Sequence, residues 1–168
     1  MLSKTVKTVQ VIVPSHQLTT RKEFLQYSHL LTLDLNSVNY WLRLFEENTV
    51  ITYSDTRLPY PDHPDRFDSW TMALCRESVT GQCYWEVEWA GVGGSGVDIG
   101  VMYKSISRKG NGPESAVGCN NQSWRSPDYC SFWHSNIETK LSAVSSRRIG
   151  VYVDHSAGFF FLLQEGKN

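Results

Sequence analysis

The sequence predicts an all-β fold, an antiparallel β-sandwich of two sheets with one short helix near its N-terminus. Three observations predict it. Gly81 to Trp89 alternates strictly, with Cys83, Trp85, Val87 and Trp89 on one side and Tyr84, Glu86 and Glu88 on the other. Two indoles on one face of a short strand need a deep apolar partner, which a second packed sheet supplies. Elsewhere short alternating runs are separated by frequent turn residues, and a single segment carries helix signals.

The helix comes first. Thr20-Arg21-Lys22-Glu23 is a capping-box pattern, with Thr at the N-cap and Glu three residues on. Phe24, Leu25 and Tyr27 follow, so a helix is expected over Arg21 to Tyr27. Residues 1–18 read as a lead-in that Pro14 interrupts. From Leu31 the pattern changes to strands and turns. Leu31, Leu33 and Leu35 alternate with Thr32 and Asp34. Tyr40, Leu42 and Leu44 alternate with Trp41 and Arg43. Glu46-Glu47-Asn48 turns the chain into Thr49 to Tyr53. Leu58 to Asp68 holds three prolines and three aspartates, which marks an irregular surface loop. Met72 and Leu74 predict a strand ending near Cys75. After Trp89 comes the glycine-rich turn Gly91 to Gly96, then an alternating strand through Val97, Ile99, Val101 and Tyr103. Ile149, Val151 and Val153 form one more strand. Asp154 to Gly158 has the length and terminal glycine of a hairpin loop leading into Phe159 to Leu163.

Bulk composition sets limits on function. The 168 residues are 40% hydrophobic and 20% charged, which fits one globular domain able to bury a core without metals or disulfides. A net charge of −1 with no basic block gives no nucleic-acid footprint. No apolar run reaches the ~18 residues of a membrane span, and Met1-Leu2-Ser3-Lys4 begins no secretory signal. A cytoplasmic location is the expectation. Cys75 and Cys83 have seven residues between them, Cys119 and Cys130 ten, and there is no C-x-x-C. Free thiols are therefore expected rather than a zinc site. The sequon Asn121-Gln122-Ser123 is expected to go unused.

Catalytic motifs are weak. Gly93-Gly94-Ser95-Gly96-Val97 approaches a nucleophile elbow, but Val97 stands where the second glycine belongs and a strand follows where a helix is required. The same run lacks the Gly-Lys-Ser/Thr of a phosphate loop. His16, His29, His63, His134 and His155 are scattered, and the pair Asp154-His155 falls in a turn. Glu86 and Glu88 share one strand face, where carboxylates are solvated or pair with an arginine on a neighbouring strand. Glycoside chemistry needs carboxylates flanking a cleft instead. Among the six tryptophans, Trp85 and Trp89 read as core. Trp124 and Trp133 flank the loop-like Arg125 to Cys130, so each is either core or an interface anchor.

Several ordered blocks resemble the PRY-SPRY domain. Leu31-Thr32-Leu33-Asp34-Leu35-Asn36-Ser37 resembles the opening of PRY, with Leu35 where the family usually has proline. Tyr60 to Phe67 resembles the loop that follows. Cys83 to Trp89, Tyr103 to Gly110, Gly118 to Trp124, Ser131 to Asn136 and Arg148 to Gly158 resemble successive SPRY signatures. The wording is most similar to versions carried by fish tripartite-motif, NACHT leucine-rich-repeat and stonustoxin-like proteins. The resemblance covers about Thr20 to Phe160, with PRY over about 30–75 and SPRY over about 80–168. It implies a bent antiparallel sandwich that recognises a partner protein through loops at one side, with roles in innate immunity or ubiquitin-ligase substrate selection within a larger protein. Those loops map to Tyr53–Asp68, Lys104–Gly112 and Trp124–Asn136. The implied contact residues are Tyr60, Arg66, Phe67, Lys104, Arg108, Trp124, Tyr129, Trp133 and His134. No enzyme activity, cofactor, metal, nucleic acid or membrane is expected, and oligomerisation only through a coiled coil elsewhere. Carbohydrate binding, a hydrolase using Ser95 or Glu86, and a part of a membrane-acting toxin stand as alternatives. The family continues past the last hairpin, so an incomplete final sheet edge is also expected.

Overall fold

The computed structural model describes residues 20–90, 98–126, 131–140 and 148–164. In chain order the elements are α1 (Arg21–Leu25), β1 (Leu42–Phe45), β2 (Val50–Tyr53), β3 (Gln82–Glu88), β4 (Ile99–Met102), β5 (Ser123–Ser126), β6 (Ser131–His134), β7 (Ile137–Lys140), β8 (Arg148–Asp154) and β9 (Phe159–Gln164). All ladders between these strands are antiparallel, and the one described helix lies near the N-terminus, in agreement with the all-β reading. The chain divides into two compact units, one of residues 1–30, 78–90 and 145–168, the other of residues 31–77 and 91–144.

In the first unit β8 is the central strand between β3 and β9. Its residues Ile149 to Val153 are all buried, as a strand covered on both faces requires. The β8–β9 turn is built as its sequence indicates. Asp154 Oδ1 accepts the Ala157 N–H at 2.9 Å, and Gly158 takes the positive φ of 73° that closes the hairpin. The capping box at Thr20 forms: the Glu23 N–H donates to the Thr20 hydroxyl and the Thr20 N–H donates to Glu23 Oε2 at 2.8 Å. The helix ends at Leu25, two residues sooner than expected. Beyond it, the Tyr84 N–H donates to the Tyr27 carbonyl at 2.7 Å and the His29 N–H to the Tyr84 carbonyl at 2.8 Å, which pulls the chain out along β3 as a parallel bridge at Ser28.

One face assignment needs correction. Tyr84 was expected on a solvated face with Glu86 and Glu88, yet it is buried. The helix covers that face: Phe24 stacks on Tyr84 at 5.6 Å and meets Tyr152 edge-on at 5.2 Å, with Tyr27 and Leu163 packed around them. Trp85 and Trp89, expected as core, are only half-buried. The arginine expected opposite the glutamates is present, since Arg148 Nη2 donates to Glu88 Oε2 at 3.0 Å from the adjacent strand.

In the second unit β1 and β2 form a hairpin, and β4-β5-β6-β7 run in sequence order as a meander. The turn at Glu46-Glu47-Asn48 forms with all three residues at positive φ (48°, 55° and 66°). Leu31 to Leu35 and Met72 to Cys75, both read as strands, contribute only an isolated bridge between Leu33 and Cys75. The cause is local: the Asp34 carbonyl accepts the Ser37 N–H and hydroxyl, and Asp34 Oδ1 accepts the Asn36 N–H, so the chain coils into a turn. Arg125 and Ser126, read as the start of a loop, lie in β5, and the rest of that segment, 127–130, lies outside the described residues. Cys75, Cys83 and Cys119 carry free thiols, while Cys130 lies outside the described residues.

Candidate functional site: a chain of hydrogen-bonded loops

The site is built within the second unit, starting from the loop after β2. This loop is held by Arg66, which is 1% exposed. Its Nη1 donates to the carbonyls of Leu35 (2.9 Å) and Val38 (2.6 Å), and its Nε to that of Pro61 (3.1 Å). Its guanidinium also faces the rings of Tyr40 and Tyr60 at 5.4 and 5.1 Å. The neighbouring Phe67 is fully buried; its N–H donates to the Ser37 carbonyl and its carbonyl accepts from Asn39 Nδ2. Both residues were expected to touch a partner. Their side chains instead secure the loop from inside, because arginine's fork can satisfy carbonyls arriving from three directions.

The second loop, after β4, is tied to the first. Gly110 N–H donates to Asp68 Oδ1 at 2.9 Å, Asp68 N–H to the Arg108 carbonyl at 3.3 Å, and Lys109 Nζ to the His63 carbonyl at 2.9 Å. Gly110 has a φ of 83°, a conformation that favours glycine. Lys109 also stands 3.5 Å from Asp62 and is the main reason the Asp62 carboxyl titrates below its usual range. Arg108, a further expected contact residue, is buried over the Phe67 ring at 4.9 Å and donates to the Lys104 carbonyl at 2.9 Å. Burial pushes its pKa down, against the pull of Asp65 and Asp34. Its Nη1 is buried with no hydrogen-bond partner among the described residues. Lys104 is exposed and Tyr60 half-buried, with its hydroxyl donating to the Leu42 carbonyl at 3.0 Å.

The third loop continues the chain of contacts. Tyr103 N–H donates to the Gln122 carbonyl and the Ser105 hydroxyl to Gln122 Oε1. Asn120 and Gly118 carbonyls accept the N–H groups of Ser135 and Asn136, at the β6–β7 turn. His134 is half-buried and its Nδ1 lies 2.9 Å from the Ser123 carbonyl, which fixes the proton on Nδ1. Trp124 and Trp133 lie in β5 and β6, where Trp124 pairs with His134 and Arg125 with Trp133. Tyr129 lies outside the described residues, as does Ser95.

Three exposed side chains on these loops escaped the sequence reading. Trp70 and Tyr103 are large exposed aromatics, and Lys109 is an exposed cation on the same loop as Tyr103's neighbour Lys104. Tyr103 was read as a strand residue, although its place at the strand's end, just before Lys104, was a usable signal. Trp70 donates from its Nε1 to the Ser115 hydroxyl at 3.1 Å, so the indole is held in place while the residue stays partly exposed.

The rival catalytic group Glu86 is structurally engaged. Arg21 donates to both of its oxygens, at 2.6 and 2.9 Å, and the Tyr84 hydroxyl donates at 2.8 Å. Its pKa is lowered chiefly by the Arg21 bonds, the opposite of a proton donor poised near neutrality. No helix among the described residues is long and apolar enough to cross a membrane.

Comparison with known proteins gives a consistent picture. A family model for the SPRY-associated domain, PRY, matches residues 31–79, and that for the SPRY domain matches residues 82–168. Mouse tripartite motif-containing protein 16 is 37% identical over 83% of this chain and 25% of its own length. A stonustoxin structure is 31% identical, with a TM-score of 0.78, over 88% of this chain and 23% of that one. The TRIM65 PSpry domain crystal structure is 27% identical, with a TM-score of 0.69, over 85% of this chain and 75% of that one. This sequence thus spans about a quarter of TRIM16 and of the stonustoxin chain.

Proposed function

The chain belongs to the PRY-SPRY family, an antiparallel β-sandwich whose members in tripartite-motif proteins mediate protein–protein interaction, and from that premise we propose that it is a non-enzymatic protein-recognition module. Its partner is a protein, held on the surface shared by the three linked loops. The observation that supports this most directly is the hydrogen-bonded series from Asp68 to Gly110, then from Ser105 to Gln122, then from Asn120 to Ser135. A surface fixed in this way loses little conformational freedom when it binds. Tyr60, Tyr103, Lys104, Trp124, Tyr129, Trp133 and His134 are the proposed contacts. Arg66, Phe67 and Arg108 hold the loops that carry them. Within a larger cytoplasmic protein such a module would select the substrate of a ubiquitin ligase or a ligand in innate immunity.

The test is affinity capture from cell lysate with the 168-residue chain, beside a Tyr103→Ala/Lys104→Glu variant whose circular dichroism is unchanged. The reading expects a defined protein retained by the first and lost at least tenfold by the second. Equal capture by both would move the site elsewhere. Specific signal on a glycan array, lost in the same variant, would replace a protein partner with a sugar.

A further inference from the structure

The β1–β2 hairpin carries a second surface, distinct from the linked loops. Among the described residues no strand pairs with the outer edge of β2. The ladder's phase shows what that edge presents. Ser54 N–H donates to the Trp41 carbonyl, which makes Trp41–Ser54 a hydrogen-bonded pair; Arg43–Thr52 and Phe45–Val50 follow by alternation. The backbone N–H and C=O groups of Ile51 and Tyr53 therefore point away from β1. On β1 one outward carbonyl, that of Leu42, is taken by the Tyr60 hydroxyl, whereas among the described residues the outward groups of Ile51 and Tyr53 meet no backbone partner. All of β2 is solvent-exposed, with Ile51 at 38% and Tyr53 at 64%, and Trp41 stacks on Tyr53 at 6.4 Å. Val50, Ile51, Thr52 and Tyr53 are all strong strand formers.

Charge brackets this edge. Glu46 and Glu47 lie before the strand and Asp55 after it, all exposed. The nearby cations are placed differently. Arg43 sits across the ladder from Thr52 on β1, and Arg57 lies 3.7 Å over the Tyr40 ring. The geometry points to a docking edge for an extended peptide segment that adds to β2 as a strand. Its apolar side chains would alternate beside Ile51 and Tyr53, and lysine or arginine at each end would meet the acidic residues. The position beside Thr52 is kept uncharged by Arg43 on the same face. Backbone pairing supplies affinity, and the flanking charge selects the partner.

The probe is the peptide Lys-Lys-Thr-Val-Thr-Val-Thr-Lys-Lys, labelled and titrated with the full 168-residue chain by fluorescence anisotropy. Saturable binding is expected, weakened at least tenfold when glutamates replace the lysines. N-methylation of alternate amides should abolish it in one of the two registers. Ile51→Lys should abolish it with circular dichroism unchanged. Ile51→Pro, which removes an outward N–H and leaves the β1 ladder intact, should do the same. Glu46→Lys/Glu47→Lys should favour the glutamate peptide. Equal binding of both charge versions, or binding that survives N-methylation in both registers, would overturn the proposal. So would self-association of the chain that Ile51→Lys relieves, because the occupant would then be a second copy.

Discussion

Tyr84 leans diagonally across the β3–β8 ladder onto Gly150, and its ring occupies the space a side chain at 150 would need. A Cβ there would stand 2.7 Å from Tyr84 Cε2 and 2.9 Å from its Cζ. This close approach lets the Tyr84 hydroxyl reach Glu86 while the ring stacks under Phe24. Gly150→Ala is expected to cost about 1–3 kcal/mol, the usual range for overpacking a core. Chemical denaturation checks this. The cost should shrink in a Tyr84→Ala background, because the two residues share the same space.

The Arg21–Glu86 pair clasps the helix to β3. Both side chains are partly exposed, so Glu86→Gln should cost only about 0.2–1 kcal/mol at pH 7. Glu86 has a lowered folded-state pKa, so its contribution is present above the ordinary value of 4.5 and is lost as pH falls through the folded value. Urea unfolding at pH 7 and at pH 3 should therefore show a stability gap between wild type and Glu86→Gln that closes in acid.

Arg66→Ala removes the shared donor of three backbone carbonyls and leaves a buried gap. A loss of roughly 3 kcal/mol or more is expected, within the range for breaking a buried hydrogen-bonded network. Thermal unfolding measures it. Lys104→Glu, on the exposed side of the neighbouring loop, should stay within about 0.5 kcal/mol of wild type.

Burial pushes the Cys75 thiol up to about 11 from 9.0, with Glu77 adding to the shift. At pH 8 its thiolate fraction is then roughly 100-fold below that of an ordinary thiol, since reactivity follows the thiolate. Iodoacetamide labelling followed by mass spectrometry should show Cys75 alkylating far more slowly in the folded chain than in urea. Between pH 9 and 11 the unfolded thiol ionises first, so stability should fall as pH rises.

The sequence made the fold readable where period and turn chemistry agreed. The capping box, the Glu46 turn and the Asp154–Gly158 hairpin all form at the residues that encode them. Two kinds of error had physical causes. Leu31 to Leu35 alternates like a strand, but Asp34 captures nearby N–H groups and coils the chain. Tyr84 looks solvent-facing by alternation, and only the helix, distant in sequence, buries it. The site was legible as a set of loops and not as a set of contacts. Arg66 and Phe67 have the residue types of interface anchors, and composition does not distinguish an arginine that meets a partner from one that meets three carbonyls of its own chain.

The loops in series carry an evolutionary consequence. Asp68 holds Gly110, Ser105 holds Gln122, and Asn120 holds Ser135, so each loop's shape is a condition on the next. Diversification of this surface should then proceed by matched substitutions: a change at 68 is tolerated with one near 110, and a change at 105 with one at 122. A lineage acquiring a new ligand would carry linked replacements across sequence-distant positions, and chimaeras that exchange a single loop would fare worse than those exchanging all three.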